Sequence, residues 1–397
     1  MKTVWLVDGI RTPIGKHGGI LSSVRPDELG ALVLKAILAR NQVNPRDIEG
    51  VYFGCANQAG EDNRNIARMS WLLAELPVEV PACTVNRLCG SGLEAICDAA
   101  RSIMVGEGDI YIGGGVESMS RSPWVVPKTE KAFPKDHVTM FDTTIGWRFT
   151  NPKMIELGHT DSLGMTAENL AVQYNIPREE QDKFALLSHH KAIRAIENGL
   201  FKEQIIPVET KNGIVEIDEG PRKDTTLEKL SKLRPAFKVN GTVTAGNSSQ
   251  INDAASAVLL VSEEFGRAHG LTPIAKIVSM GVAGVPPRIM GIGPVPATKK
   301  ALERAKITLN DIDLIELNEA FAAQSLAVLR EWNMDFEDKR LNPNGGAIAL
   351  GHPLGATGSI LLTKALHQIK KNEDMQFALI SLCIGVGQGI SMIVEKI

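Results

Sequence analysis

The sequence predicts an α/β protein built as two similar halves, with a long insertion rising from the first. Two distant segments follow one helix–turn–strand plan. Two others repeat a strand, glycine turn, helix, strand plan. The stretch between the halves has a different texture. Composition is compatible with this. Of 397 residues, 44% are hydrophobic and 22% charged, which suits a large core and excludes disorder. At roughly 100–200 residues per domain the length predicts two or three units.

The first plan runs from Ala31, ALVLKAILARNQVNPRDIEGVYFG, to Gly54, and recurs from Ala297, ATKKALERAKITLNDIDLIELNEA, to Ala320. Each reads as a helix-period segment, a turn (Asn44, Pro45, Asp47; Asn310, Asp311) and a short apolar strand. The second plan runs from Pro81, PACTVNRLCGSGLEAICDAARSIMVGEGDIYIGGG, and recurs from Leu341. This predicts a duplicated fold with two similar sheets packed together. The halves are 1–119 with 247–270, and 271–397. The insertion is 120–246, charged and carrying Pro123, Pro127, Pro134 and Pro152. One amphipathic helix, REEQDKFALLSHHKAIRAIENG, stands out there, with Gly199 as its stop. Ordered insertions of this length usually serve as lids or ligand platforms.

Lys+Arg 43 against Asp+Glu 46 gives a net charge of -3, which argues against nucleic acid or an anionic membrane as partner. Five cysteines do not make a disulfide scaffold. Apolar runs such as Phe377–Cys383 are strand-sized, whereas a helical span needs about 20 residues. The N-terminal run stops at Asp8, unlike a signal peptide, and the final VEKI matches no sorting tag. A cytoplasmic, reducing location is the expectation.

The chemistry lies in glycine-rich turns. Cys89 in VNRLCGSGLEAI sits between an apolar strand and an apolar-periodic helix, with Gly90 and Gly92 allowing a tight turn. A thiol there faces a helix N-terminus, which favours thiolate, as a nucleophile requires. Cys55, Cys83 and Cys97 read instead as small buried hydrophobes. His352 in GGAIALGHPLGATG is held between Gly351 and Pro353, which suits a positioned base. Cys383 ends a strand before the glycines of SLCIGVGQG, and Asn318 follows the strand DLIEL, at the sheet edge where ligands gather. Other motifs fail. GHPLGATG lacks the Lys-Ser/Thr pair of a phosphate loop, GVGQG is a weak dinucleotide fingerprint, and no GxSxG elbow occurs. Without HExxH or paired CxxC, and with His189 and His190 merely adjacent, no metal site is expected.

The segments VNRLCGSGLEAI, NEAFA, GGAIALGHPLGATG and CIGVGQG resemble the signature set of the thiolases. The likeness extends to GIRTPIGKHGG, MTAENLA, KLRPAF, GTVTAGNSS and MGIGPVPA, in family order, over essentially the whole chain. It implies a duplicated βαβαβαββ core in five α-β-α-β-α layers with an inserted loop domain. It implies thiolytic cleavage of 3-ketoacyl-CoA by CoA, to acetyl-CoA and a shortened acyl-CoA, through an acyl-cysteine and ping-pong kinetics. Cys89 would be the nucleophile, His352 its base, and Cys383 the second acid/base. Asn318 would hold a water that forms one oxyanion site with His352. The N–H groups of Cys89 and Gly385 would form the other. Coenzyme A is implied as substrate, with no metal or other cofactor. Its tail would follow Arg222, Phe237, Ala245 and Ser249, although Arg222 and Phe237 also read as a solvated cation and a loop aromatic. Leu163, Met290 and Phe321 would line the acyl end. Family members are dimers or tetramers, so a homo-oligomer, a homotetramer among the forms, is expected.

Two departures from the family pattern stand out. TAGNSSQINDAA carries Gln250 and Ala254 in place of glycines, which questions the local backbone, because Gln disfavours positive φ. CIGVGQG carries Val386, with Gly385 and Gly387 retained. Acetoacetyl-specific members carry His-Met where this chain has Ser162 and Leu163, which favours degradative thiolysis, as in fatty-acid β-oxidation, over acetoacetyl-CoA synthesis. The stretch FDTTIGWRF (Phe141–Phe149) is similar to thiolases of aromatic degradation that take 3-oxoadipyl-CoA. Arg148 there reads first as a loop charge and second as a partner for a distal carboxylate. Two alternatives are disfavoured. A decarboxylating condensing enzyme would need a His at Asn318 and would lack Cys383. A non-catalytic acyl-CoA or lipid carrier would lack Cys89 or His352.

Overall fold

Alternating apolar residues set the layers. In the strand Val4–Arg11, Val4 and Leu6 point into one core while Trp5 and Val7 point into another, as the two-residue period of a strand requires. Asn252–Ser262 and Phe377–Ile384 divide their side chains between two cores in the same way. The computed structural model that shows this describes residues 1–133, 135 and 137–397; Pro134 lies outside them.

Ten strands form the main sheet, with the short strand Gly15–Lys16 pairing beside Asn252–Ser262 off its path, and two small two-stranded sheets lie apart from it. The first half contributes, from its outer edge, Ala82–Val85, Gly50–Gly54, Ile110–Ser118, Asn252–Ser262 and Val4–Arg11. The second contributes, from the junction outward, Ala275–Gly284, Gln388–Lys396, Phe377–Ile384 and Leu314–Leu317. A parallel bridge from Ile315 to Leu341 extends that edge. The halves meet where Trp5 and Leu6 pair with Lys276 and Ala275. The two expected sheets are thus continuous along one edge while their inner faces share a core.

That shared core holds the helices Ser91–Val105 and Leu354–Lys371. Helix Pro26–Asn41 covers the outer face of the first sheet, and Pro294–Ala305 and Ala322–Glu331 cover that of the second. The result is the five-layer α-β-α-β-α order. The repeat holds in detail. Pro26–Asn41 ends at left-handed Gln42 (φ 52°) and Pro294–Ala305 at left-handed Lys306 (φ 57°). A short 3-10 turn follows each, capped by Asn44 and by Thr308 with Asp311, before the strand begins.

The two central helices meet backbone to backbone. A Cβ on Gly358 would collide with the backbone nitrogen of Leu93, and one on Gly92 would lie 2.7 Å from the Gly355 carbonyl. Gly54 and Gly115 press on the same carbonyl. The inserted segment folds back onto the first strand through a fully buried pair. Arg11 donates to both oxygens of Asp218 at 2.7 and 2.9 Å, and Asp218 also accepts the Ile14 N–H. Helix Arg178–Glu197 lies in the insertion, with Gly199 left-handed just after it. Cys55 and Cys97 are buried as expected, whereas Cys83 is exposed, because its strand is the outer edge of the sheet.

Substituting Gly358→Ala forces the helices apart. It should cost about 1–3 kcal/mol of stability, read as a lowered thermal midpoint at fixed protein concentration. An unchanged midpoint would contradict the close approach.

Candidate functional site

The strand Ala82–Val85 hands over to helix Ser91–Val105 through a strained elbow. Leu88 is left-handed (φ 47°), an uncommon state for a non-glycine residue. Three hydrogen bonds hold it. Asn86 Oδ1 accepts the Leu88 N–H at 2.9 Å, and Ser91 Oγ accepts the Arg87 N–H at 2.8 Å while donating to the Leu88 carbonyl at 2.6 Å. Cys89 is thereby set at the helix entrance, only 7% exposed. Burial pushes its thiol up to about 11, opposed by hydrogen bonds from the Gly385 N–H and its own N–H. The sequence favoured a thiolate here; desolvation outweighs the helix terminus.

His352 occupies the mirrored place. Cys89 lies two residues before Ser91, and His352 lies two before Leu354, the first residue of the other central helix. Gly351 (φ 119°) has no room for a Cβ beside the Asn252 amide. Asn252 Oδ1 accepts the His352 N–H at 2.8 Å, and its Nδ2 donates to the Gly15 carbonyl at 3.0 Å. On the ring, Nδ1 lies 2.6 Å from Thr357 Oγ1, which itself donates to the Pro353 carbonyl at 2.9 Å. A hydroxyl has one proton. With that proton committed, His352 Nδ1 is the donor and Nε2 keeps its lone pair, 3.4 Å from Asn318 Nδ2. Burial lowers this imidazole to about 4, so it is neutral at neutral pH.

Asn318 Oδ1 is buried and meets no donor among the described residues, a deficit that a water or ligand donor would fill. Cys383 sits at the end of Phe377–Ile384, in an apolar cluster with Met290 and Phe321. Burial raises its thiol, and a charge on Cys89 would raise it further.

Cys89 opens into a cavity of about 210 Å³. Leu88, Leu163, Met290, Gly385 and Val386 form its apolar wall, and Asn57, Thr143, Arg148 and His159 its polar side. Leu163 and Met290 line this cavity together with Cys89. Phe321 packs beside Cys383 without lining the cavity. Phe237, 41% exposed, meets Phe321 edge-on at 6.0 Å. Arg222, Ala245 and Ser249 lie outside the cavity. Arg222 is exposed, with its N–H donated to His189 Nδ1, and Ser249 donates its N–H to the Ala320 carbonyl beside Phe321.

The doubt over Gln250 is removed. It is not left-handed, and its amide donates to the carbonyls of Gly220, Ile348 and Ala349. Ala254 is ordinary buried strand. Val386, in contrast, is left-handed (φ 63°).

Sequence reasoning passed over Glu117, Asn252 and Thr357. Glu117 accepts the N–H groups of Ala56 (2.9 Å), Asn57 (3.0 Å) and Gly355 (2.7 Å). It ties the cavity wall to the start of the His352 helix. Burial pushes its carboxyl up to about 7, against those bonds. Its signal was a lone acid in the apolar, glycine-rich run IYIGGGVES. Cys55, Asp62 and Glu117 lie within 4.8 Å of one another, yet both Glu117 oxygens already serve backbone N–H groups and Cys55 donates to the Asn57 carbonyl. Among the described residues, no helix is long and apolar enough to cross a membrane.

Residues 4–264 match the thiolase N-terminal domain and residues 271–396 the thiolase C-terminal domain. A 3-oxoadipyl-CoA/3-oxo-5,6-dehydrosuberyl-CoA thiolase of Escherichia coli is 53% identical, covering 100% of both chains. A beta-ketoadipyl-CoA thiolase of Acinetobacter baylyi is 52% identical over the same share. The human mitochondrial 3-ketoacyl-CoA thiolase solved in complex with CoA is 40% identical, with a TM-score of 0.93, covering 100% of this chain and 98% of that one.

If Thr357 fixes the tautomer of His352, Thr357→Val should slow alkylation of Cys89 by roughly ten- to a hundredfold, the worth of one hydrogen bond to a group that becomes charged. Thr357→Ser should restore it. Peptide mass analysis separates Cys89 from the exposed Cys83, and an unchanged rate in Thr357→Val would refute the role.

Proposed function

The chain belongs to the thiolase family, acyltransferases that cleave 3-ketoacyl-CoA with CoA as second substrate, and from that premise we propose that its preferred substrate is 3-oxoadipyl-CoA. The supporting observation is the cavity beside Cys89, whose lining includes Arg148, a cation without a partner among the described residues. The 51–53% identity of full-length relatives named for that substrate agrees. On this reading the acyl-CoA is a dicarboxylic one, outside ordinary fatty-acid β-oxidation.

The residues divide the work as follows. His352 Nε2 removes the proton of Cys89 as the sulfur attacks the 3-keto carbon. Charge separates only at that moment, because both groups rest neutral. The oxyanion is met by the N–H groups of Cys89 and Gly385. The C2–C3 bond then breaks, its electron pair leaving as the enolate of acetyl-CoA, and Cys383 protonates that carbon. Asn318 through a water, together with protonated His352, meets the enolate oxygen, and the N–H groups of Cys89 and Gly385 hold the same 3-keto oxygen, now that of the succinyl thioester, as it is attacked in turn. Cys383, now a thiolate, deprotonates CoA for that attack, which returns Cys89 and releases succinyl-CoA. The CoA tail lies across the inserted segment at Arg222, Phe237, Ala245 and Ser249, with exposed Phe237 against its pantetheine arm. We read the protein as a cytoplasmic homo-oligomer. The exposed apolar side chains Trp124, Val126 and Met140 of the insertion are the surface a second copy would cover.

Two outcomes test this reading. Mixing with 3-oxoadipyl-CoA in the absence of CoA should add one succinyl group to the intact mass, absent in Cys89→Ala; no adduct on the parent protein refutes the scheme. His352 acts only when neutral, and its value is lowered, so kcat/KM should hold as pH falls through 6 and decline only as pH approaches about 4. An acid limb centred between pH 6 and 7 would contradict the neutral base.

A further inference from the structure

We infer that Arg148 determines specificity by pairing with the distal carboxylate of the acyl group, an inference that rests on the substrate proposed above and names the residue that reads it. Two ordinary charges enter the cavity, Arg148 and Asp161. Asp161 is already neutralised. Its Oδ2 accepts from Arg288 Nε at 3.0 Å and from Asn169 Nδ2 at 2.9 Å. Arg148 is half-buried and makes no hydrogen bond or ion pair among the described residues. Asp62 feels its charge without reaching ion-pair distance, and the Asp62 carboxylate is bound instead to the Gly60 N–H. The cavity therefore presents a net unpaired guanidinium, and a half-buried guanidinium is best satisfied by a carboxylate held through two parallel bonds.

The backbone shows that the placement is specified. Trp147 and Arg148 lie between two left-handed residues, Gly146 (φ 95°) and Phe149 (φ 49°). Several contacts pin the loop. The Thr143 carbonyl accepts from Asn57 Nδ2 at 3.0 Å, Trp147 Nε1 donates to the Asp161 carbonyl at 3.3 Å, and Phe149 packs edge-on against Phe141 at 5.3 Å. A solvated loop charge would need none of this. Methyl-ended and carboxylate-ended acyl chains fit the apolar wall of Leu163 and Met290 equally well; only the second gives Arg148 a partner.

The test compares 3-oxoadipyl-CoA with 3-oxohexanoyl-CoA, which has the same carbon skeleton and a methyl in place of the carboxylate. The readout is the ratio of kcat/KM for the two substrates on a single preparation, so that a partly misfolded fraction cancels. The parent protein should favour the dicarboxylic substrate. In Arg148→Met the ratio should fall by roughly ten- to a hundredfold, in Arg148→Gln similarly, and in Arg148→Lys less, since a point charge remains without the fork. A parent preference that survives in both Arg148→Met and Arg148→Gln overturns the role of Arg148 and leaves the substrate proposal standing. A parent protein with no preference overturns both.

Discussion

Everything at the site depends on two polypeptide backbones meeting without side chains between them. Gly54, Gly92, Gly115, Gly355 and Gly358 let the N-terminal turns of the two central helices touch each other and the strand ends beside them. Cys89 and His352 stand at equivalent places on the repeat, two residues before those helices. They converge because the helices do. Glu117 completes the junction by accepting N–H groups from both sides. The repeat is used asymmetrically: the same elbow carries a thiol in one half and an imidazole in the other.

Burial then decides the electrostatics. A helix N-terminus contributes roughly half a positive charge, which favours thiolate at Cys89 and neutral imidazole at His352. Desolvation favours the neutral form of each. The two influences agree at His352, held at about 4, and conflict at Cys89, where burial prevails at about 11. The site thus holds a neutral thiol and a neutral imidazole. The N–H groups of Gly385 and Cys89 act the other way at the sulfur, favouring its charged form.

Much of this was legible in the sequence, for identifiable reasons. The duplication was visible because turn chemistry is local: Asn44 and the Thr308–Asp311 box cap the same turn in both halves. Cys89, His352, Cys383 and Asn318 were visible because each sits in a glycine-rich turn at a strand end or helix start. Thr357 and Asn252 were not, because their roles exist only through partners: one five residues along a helix, the other 100 residues away. The edge position of Cys83 and the junction of the sheets depend on strand order, which no local pattern encodes. Arg148 was legible as a charge but not as a cavity wall, since that needs the turn between Gly146 and Phe149.

Val386 shows why a matching motif understates a site. With Gly385 and Gly387 retained, the substitution looked neutral, yet Val386 is left-handed at φ 63°, where a β-branched residue is strained by about 1–3 kcal/mol. The surroundings leave the chain no other course. Gly387, at φ 83°, accepts the Val285 N–H at 2.8 Å and has no room for a Cβ against Val285 and Pro287. The Gly385 N–H, one residue before, acts on the Cys89 sulfur and lowers its thiol value. A turn fixed at both ends dictates the residue between them. The Val386 side chain then lines the cavity beside Cys89, so the strained turn that presents the Gly385 N–H also narrows that space.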